Sequence, residues 1–188
     1  MDIQVLQKGQ TFELEIASKQ EGPKSFYFGA GWDNPNGPVD LDIVCLKLRN
    51  SKLAKNEDLI YFSNRSQKGV QLSDDNTTGD GDGDDENIVI STDALDSDVD
   101  SVIVGLAAYS GADFSNAPNP HFRVCDGHEE TSLQIADVEV GSGAPGDTVL
   151  VAFALRRTDS GWNLEDIGEF YQRGTGTDAI KGFASLYQ

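Results

Sequence analysis

The sequence is short of basic residues and of long apolar runs, and each shortage excludes a class of protein. Lys and Arg number 14 against 32 Asp and Glu, which gives a formal net charge of -18. Such a field repels the phosphates of nucleic acids and anionic lipids, so direct nucleic-acid binding is not expected. No stretch approaches the ~20 apolar residues of a membrane-spanning helix, and residues 1–8 lack the apolar run of a secretory signal. We therefore expect a cytoplasmic protein without a transmembrane segment.

Cysteine is also scarce: Cys45 and Cys125 are the only two, and both lie in apolar, strand-like stretches. Such residues are typical of buried thiols in a reducing compartment, and nothing in the sequence argues for a disulfide. With 188 residues, of which 38% are hydrophobic, the chain can bury one core without splitting. We expect a single domain spanning residues 1–188.

Apolar residues alternate with period two along much of the chain. One row runs over residues 12–16, and a second comprises Val149, Val151, Phe153 and Leu155. Turn-forming residues, as in the segment 34–38, separate the apolar runs at short intervals. This pattern predicts a mainly β protein, either a sandwich or a barrel.

Helical periodicity is scarce and is clearest at the C-terminus. Apolar residues recur there with the i, i+3, i+4, i+7 spacing of one helical face, at Ile180, Phe183, Ala184 and Tyr187. The spacing predicts one short helix over this segment. A further helical turn is expected near residues 92–95.

An acidic tract, residues 74–86, precedes the strand-like segment 87–90. Its seven carboxylates stand without a basic residue among them. Two unit charges ~4 Å apart repel by ~1 kcal/mol even in bulk water, so a bound cation would favour an ordered loop. Oxygen ligands without nearby His or Cys match Ca²⁺ or Mg²⁺, and the interspersed glycines suit the irregular coordination of Ca²⁺.

Three other interpretations compete for this tract. An EF-hand register that begins at Asp74 fits at Asn76, Thr78 and Gly79, but its twelfth residue is Asp85 and a strand follows instead of a helix. A phosphate-binding glycine loop would need a following Lys, which is missing. A solvated acidic hairpin without a ligand is the third alternative.

A second acidic group lies upstream, at Asp33, Asp40 and Asp42. Alternation places Asp40 and Asp42 on one side of a strand, so both could face one ion if the strand end lies beside the loop. The same residues are equally typical of turns at strand ends.

The stretch from Asp75 to Glu86 resembles the hallmark acidic segment of the TerD family of tellurite-resistance and stress-response proteins. Similarity extends over essentially the whole chain, through residues 6–10, 29–33, 40–42, 60–64, 161–164 and 167–168. One departure lies next to Asn64, where Ser63 replaces an amide residue of the motif.

The resemblance implies a β-sandwich of two antiparallel sheets with a few short helices, including one at the C-terminus. It also implies a paired site for calcium, with two ions held at one end of the sandwich. Taken by position, and for Gly79 from the loop itself, the candidate metal-site residues are Asp33, Asp40, Asp42, Asn76, Gly79, Asp82, Asp84, Asp85 and Glu86. Candidate partners are other stress-response proteins or an anionic ligand bridged by calcium.

The alternative functions for this site are a metal-dependent phosphoester hydrolase and a nucleotide-binding or cyclic-nucleotide-binding protein. The sequence has no Gly-x-Ser-x-Gly elbow, and His121 and His128 lie in turn-rich stretches typical of exposed loops. We therefore expect no enzymatic activity, and a calcium-binding scaffold or sensor in the stress response.

Overall fold

The computed structural model describes residues 11–12, 25–33, 39–110 and 113–188. Within them the chain forms twelve strands, one α-helix and four short 3₁₀ turns. The strands are β1 (Thr11–Phe12), β2 (Ser25–Gly31), β3 (Asp40–Leu48), β4 (Leu59–Ile60), β5 (Ser66–Gln67), β6 (Val70–Leu72), β7 (Glu86–Ser91), β8 (Ser101–Ser110), β9 (His121–Asp126), β10 (Leu133–Val138), β11 (Val149–Thr158) and β12 (Gly161–Tyr171). Helix α1 spans Thr177–Ser185, and the 3₁₀ turns are Asn56–Asp58, Thr92–Ala94, Phe114–Asn116 and Val140–Ser142.

The described strands form two antiparallel sheets that pack face to face. Sheet A has the order β1-β12-β11-β8-β3-β4, and sheet B has the order β10-β9-β2-β7-β6-β5. Between them lies a core in which the rings of Phe28 and Phe122 from sheet B contact Phe153 from sheet A. The sandwich is therefore confirmed over the barrel.

Helix α1 covers the outer face of sheet A. Its apolar residues Ile180 and Phe183 are buried with Val149 and Val151 of β11 in a second cluster. The predicted C-terminal helix is confirmed, and the turn expected near residues 92–95 is the 3₁₀ turn Thr92–Ala94.

The predicted single apolar row along β11 is wrong. The register of β11 shifts between Val151 and Phe153 against both of its neighbours. This bulge moves Phe153 and Leu155 into the core between the sheets, whereas Val149 and Val151 face α1. Both faces of β11 are covered, so its residues are apolar on both sides. The sequence therefore cannot show which residues face the core or where the bulge lies.

Some of the remaining predictions concern residues that the structure describes, and others do not. The alternating row over 12–16 is described only at Phe12, and the turn at 34–38 lies outside the described residues. Cys45 and Cys125 are both free and buried, as expected. No described helix is long and apolar enough to cross a membrane.

The acidic tract is the loop of the hairpin formed by β6 and β7. Strand β7 begins at Glu86 and pairs with both β2 and β6 in sheet B. The Asp85 amide donates to the Ala30 carbonyl (2.8 Å), which fixes the end of the loop on β2. At the end of the tract, Glu86 Oε2 accepts from the Ile43 amide (2.8 Å), so the loop also contacts β3 of sheet A.

Candidate metal centre

Asp40 and Asp42 begin strand β3 and are buried there. Leu41 and Ile43 enter the core between the sheets, so period-two alternation directs the two aspartates to the other face. Their exposed fractions are only 6% and 2%. Among the described residues, no donor lies within hydrogen-bond distance of Asp40 Oδ1 or Asp42 Oδ2.

The ionisation of these two carboxyls is opposed by their surroundings. Burial, together with the charge of Asp75, raises the pKa of Asp40 to about 6. Burial, and then the charges of Asp40 and Asp75, raise the pKa of Asp42 to about 8. Both groups would ionise fully at neutral pH if a cation replaced the lost water.

Asp75 of the acidic loop completes a group of three carboxylates. One oxygen each from Asp40, Asp42 and Asp75 lies within 4.8 Å of the others. Two oxygens bound to one Ca²⁺ lie up to about 5 Å apart, because each Ca–O distance is about 2.3–2.6 Å. The three residues therefore stand at a spacing that one calcium ion can bridge.

Glu86 lies next to this group and is hydrogen-bonded to both β3 and the acidic loop. Its Oε2 accepts from the Ile43 amide (2.8 Å) and its Oε1 from the Asn76 amide (3.3 Å). Burial comes first among the causes that raise the pKa of Glu86 to about 8, and the charge of Asp42 adds to it. Strand β4 pairs only with Cys45 and Leu46 of β3, so Glu86 takes the place of a neighbouring strand at Ile43.

Another buried carboxylate in the same strand region is paired quite differently. Asp58 is 1% exposed and forms ion pairs with Lys47 (3.2 Å), near the end of β3, and with Arg49, just after that strand. No described Lys, Arg or His forms an ion pair with Asp40 or Asp42. Buried cations thus lie near one end of β3, whereas the carboxylates at its other end have no cationic partner in the part of the chain that the structure describes.

The start of the loop is folded around Trp32. Asn76 Oδ1 accepts from the amides of Thr78 (3.0 Å) and Gly79 (3.1 Å), which makes a tight side-chain turn. Gly79 has φ 59°, and a Cβ there would lie 2.4 Å from Trp32 Nε1. Gly79 is therefore required for the close approach of the loop backbone to the indole.

The end of the loop is held on the other side of Trp32. Asp85 Oδ2 accepts from the Trp32 amide (2.9 Å), and Asp85 Oδ1 accepts from Asn76 Nδ2 (3.1 Å). Burial is the first cause of the raised pKa of Asp85. Asp33 is exposed and accepts from Asn119 Nδ2 (2.5 Å), while Asp82 is exposed at the loop tip.

Asp84 contacts a separate set of residues, on the outer face of sheet B. Its Oδ2 accepts from Tyr27 Oη (2.9 Å) and Arg123 Nη2 (2.7 Å), and its Oδ1 lies 3.0 Å from Arg123 Nε and His121 Nε2. Burial opposes ionisation of Asp84, but the hydrogen bonds from His121, Arg123 and Tyr27 outweigh it and lower the pKa to about 2.

Comparison with known proteins places this chain in a family. The chain matches the family model described as the TerD domain over residues 1–180. The chain belongs to the TerD family. It is 30% identical to the "Stress response protein SCP2" of Bacillus subtilis (strain 168), a match that covers 97% of this chain and 98% of that protein.

Two further TerD relatives agree in sequence or in fold. The "Tellurium resistance protein TerD" of Serratia marcescens is 28% identical, over 90% of this chain and 91% of that protein. The crystal structure of a homologue of telluride resistance protein (TerD) from Streptomyces coelicolor A3(2) superposes with a TM-score of 0.72 at 20% identity. That alignment covers 89% of this chain and 99% of the other and supports the fold.

Sequence reasoning missed four residues of these two clusters, the carboxylate group and the surroundings of Asp84. Asp75 lies within the predicted tract but was not among the candidate ligands, although it contributes to the carboxylate group. Tyr27, His121 and Arg123 are all more than 35 residues from Asp84 and carry no local motif. His121 also begins β9 instead of lying in a loop, so its predicted position is wrong.

The motif near Asn64 has a structural role. Asn64 Nδ2 donates to the carbonyls of Glu57 (3.0 Å) and Leu59 (2.7 Å), and its Oδ1 accepts from Gln67 Nε2 (3.0 Å). Both ends of the amide therefore hold the turn after β4.

Proposed function

We propose that this TerD-family chain binds Ca²⁺ where β3 meets the acidic loop, through Asp40, Asp42 and Asp75. The observation that carries the proposal is the pair of buried carboxylate oxygens, on Asp40 and Asp42, that have no donor among the described residues. A buried carboxyl group is tolerated when it keeps its proton, and a buried carboxylate is tolerated when it is paired or coordinates a metal. Because no cationic side chain among the described residues pairs with these two, a metal ion is the counter-charge that fits.

The donor set favours calcium among the common ions. All three groups offer carboxylate oxygens, which are hard ligands, and no His or Cys belongs to the group. Zn²⁺ favours nitrogen and sulfur, and Mg²⁺ requires a near-ideal octahedron. Asp75 lies on a loop, so it can adjust to the irregular shell that Ca²⁺ accepts. Bound Ca²⁺ would supply positive charge and bridge the two sheets.

The names of the two sequence relatives support a role in stress or tellurium resistance. We propose that the chain acts there as a calcium-dependent scaffold or sensor, without catalysis. Partner proteins, or an anion bridged by the ion, would then meet the calcium-loaded end of the sandwich. The expectation of two ions also belongs to this proposal.

Calorimetric titration with Ca²⁺ and thermal unfolding test the central claim. Ligand at ~100 times its dissociation constant adds ~2.7 kcal/mol if it binds only the folded state. For a chain of this size that corresponds to a rise of roughly 5–11 °C in Tm over the chelator-treated protein. A Tm that is the same in millimolar Ca²⁺ and in excess chelator would refute calcium binding, and the titration stoichiometry tests the number of ions.

A further inference from the structure

On sheet B, Asp84 is held by Tyr27, His121 and Arg123. None of these residues belongs to the group formed by Asp40, Asp42 and Asp75. In β9, Arg123 lies opposite Gly29 and His121 lies opposite Gly31 of β2. Phe122 belongs to the core between the sheets, so its two neighbours in β9 project from the outer face. The Asp84 side chain is 0% exposed against this face.

All the hydrogen-bonding capacity of Asp84 is used there. An ionised carboxylate offers about four lone-pair sites. Four donor atoms occupy them: Tyr27 Oη, Arg123 Nε, Arg123 Nη2 and His121 Nε2. The Arg123 fork contacts both oxygens, which is the strongest and most directional arrangement for this pair. The lone-pair sites of Asp84 therefore face protein donors.

The backbone of sheet B is shaped to receive this carboxylate. A Cβ on Gly29 would lie 2.1 Å from Asp84 Oδ2, so any larger residue would displace Asp84. Glu130 completes the enclosure, because its Oε1 accepts from the Asp84 amide (3.3 Å) and from Arg123 Nη2 (3.3 Å). The pocket holds both the side chain and the backbone of Asp84.

We propose that Arg123 is a positioning residue for the metal loop, which it sets by fixing Asp84 on sheet B. Asp84 directly precedes Asp85 and Glu86. The carboxylates of these two residues accept hydrogen bonds from Asn76, which follows Asp75 in the chain. Arg123 thereby determines where the loop that carries Asp75 lies relative to β3. This inference rests on the calcium binding proposed above and names a residue that acts on it through Asp84.

Positioning and simple electrostatics predict opposite results for Arg123. A positive charge near a cation site repels the cation, so its removal should tighten calcium binding if charge alone mattered. If Arg123 positions the loop, its removal should weaken binding despite the loss of that repulsion. The sign of the change in affinity therefore separates the two explanations.

The test is calorimetric Ca²⁺ titration of the full chain with Arg123→Met, Arg123→Lys and Tyr27→Phe. Arg123→Met should weaken binding about 10- to 100-fold, the usual effect of losing a residue that orients a ligand. Arg123→Lys keeps the charge but loses the fork, so it should also weaken binding. Tyr27→Phe removes one donor without changing the net charge and should weaken binding roughly 3- to 10-fold. Arg156→Met, which removes one surface charge paired with Glu165, is the matched control and should leave affinity within about twofold.

Fluorescence of Trp32 gives a second readout that needs no metal. Trp162 is the other tryptophan, so a Trp162→Phe background isolates the indole on which Gly79 packs. In that background, metal-free Arg123→Met should show red-shifted emission while its circular dichroism keeps the β signal. Unchanged emission would mean that the loop does not depend on Arg123.

The outcomes distinguish the two proposals. If the unaltered protein fails to bind Ca²⁺, the proposed function falls. If it binds and Arg123→Met or Tyr27→Phe binds as tightly or more tightly, the positioning role alone is wrong. If Arg123→Met does not fold, the Tyr27→Phe titration decides the question.

Discussion

At the scale of single residues, the buried carboxylates fall into two classes: some have hydrogen-bond donors or cationic partners, and others have none among the described residues. Asp84 lies among donors that lower its pKa to about 2, and Asp58 is paired with Lys47 and Arg49. Burial raises the pKa of Asp42 to about 8, and no described cation offsets it. The first arrangement provides partners for the ionised carboxylate, whereas the second opposes ionisation, as is common for carboxyl groups at functional sites.

Asp42→Asn should therefore have opposite effects on stability and on binding. The amide keeps the volume but removes a buried charge next to Asp40, so the metal-free variant should unfold at a higher Tm at pH 8. One kcal/mol corresponds to about 2–4 °C for a chain of this length. Calcium affinity should fall by at least about 100-fold, more than the loss expected for an orienting residue. Thermal unfolding in chelator and calorimetric titration measure the two quantities.

Asp82→Asn is the matched control for this substitution. It makes the same chemical change at an exposed position of the same loop. We expect little change in metal-free Tm, and a loss of affinity much smaller than for Asp42→Asn. Equal losses from the two variants would show that the acid attracts the ion only as a diffuse field.

At the scale of elements, the hairpin loop between β6 and β7 is fixed at both ends and exposed in the middle. Asn76 and Glu86 are hydrogen-bonded to each other, and Asp84 is anchored on sheet B. Asp80 and Asp82 at the tip are exposed. Local opening should therefore begin from the tip and reach Asp75 before it reaches the anchored Asp84, since no hydrogen bond among the described residues joins Asp75 to β3.

Amide hydrogen exchange should show this opening directly. In chelator, the Asn76 and Gly79 amides should exchange much faster than the amides of β8 and β11. Ca²⁺ should slow them on the order of 10-fold or more and do so better than Mg²⁺ or Zn²⁺. Equal protection in chelator, or protection by Zn²⁺ to the same extent, would contradict the assignment of the ion.

The loop also shows what a sequence can and cannot predict. The acidic tract, β7 and α1 were predictable, because charge density and hydrophobic periodicity are local properties. The contact between Asp84 and Arg123 was not, because it depends on the order of strands β9, β2 and β7 in sheet B. The bulge in β11 was hidden for a related reason, since both faces of that strand are buried.

At the scale of the whole molecule, stability depends on how the acidic charge is distributed. The formal net charge of -18 makes ionisation of any further buried carboxyl unfavourable. Asp40, Asp42 and Glu86 all have raised pKa values in the metal-free fold, of about 6, 8 and 8. These groups would couple occupancy of the proposed metal site to the stability of the entire chain.

The metal-free protein should lose stability as the pH rises from 5 to 8. A carboxyl with a raised pKa keeps its proton in the folded state when the unfolded chain has already released it. The folded state then binds more protons, so the free energy of unfolding falls with rising pH. The stabilising effect is complete below the unfolded pKa, near 4, and is lost as the pH passes the folded values of about 6 to 8. Asp84, whose pKa is lowered, acts in the opposite direction, but only below about pH 4.

Chemical denaturation in chelator across pH 5 to 8 measures this slope, and excess Ca²⁺ should flatten or reverse it because bound carboxylates are already ionised. His121, with a pKa raised by its hydrogen bond to Asp84, adds a contribution of the same sign. General repulsion of the acidic surface does so as well. Both persist in Asp42→Asn and in Asp82→Asn, so the comparison of these variants isolates the buried group. Asp42→Asn should reduce the slope and Asp82→Asn should retain it, whereas the same slope in both would assign the pH dependence to the surface charge alone.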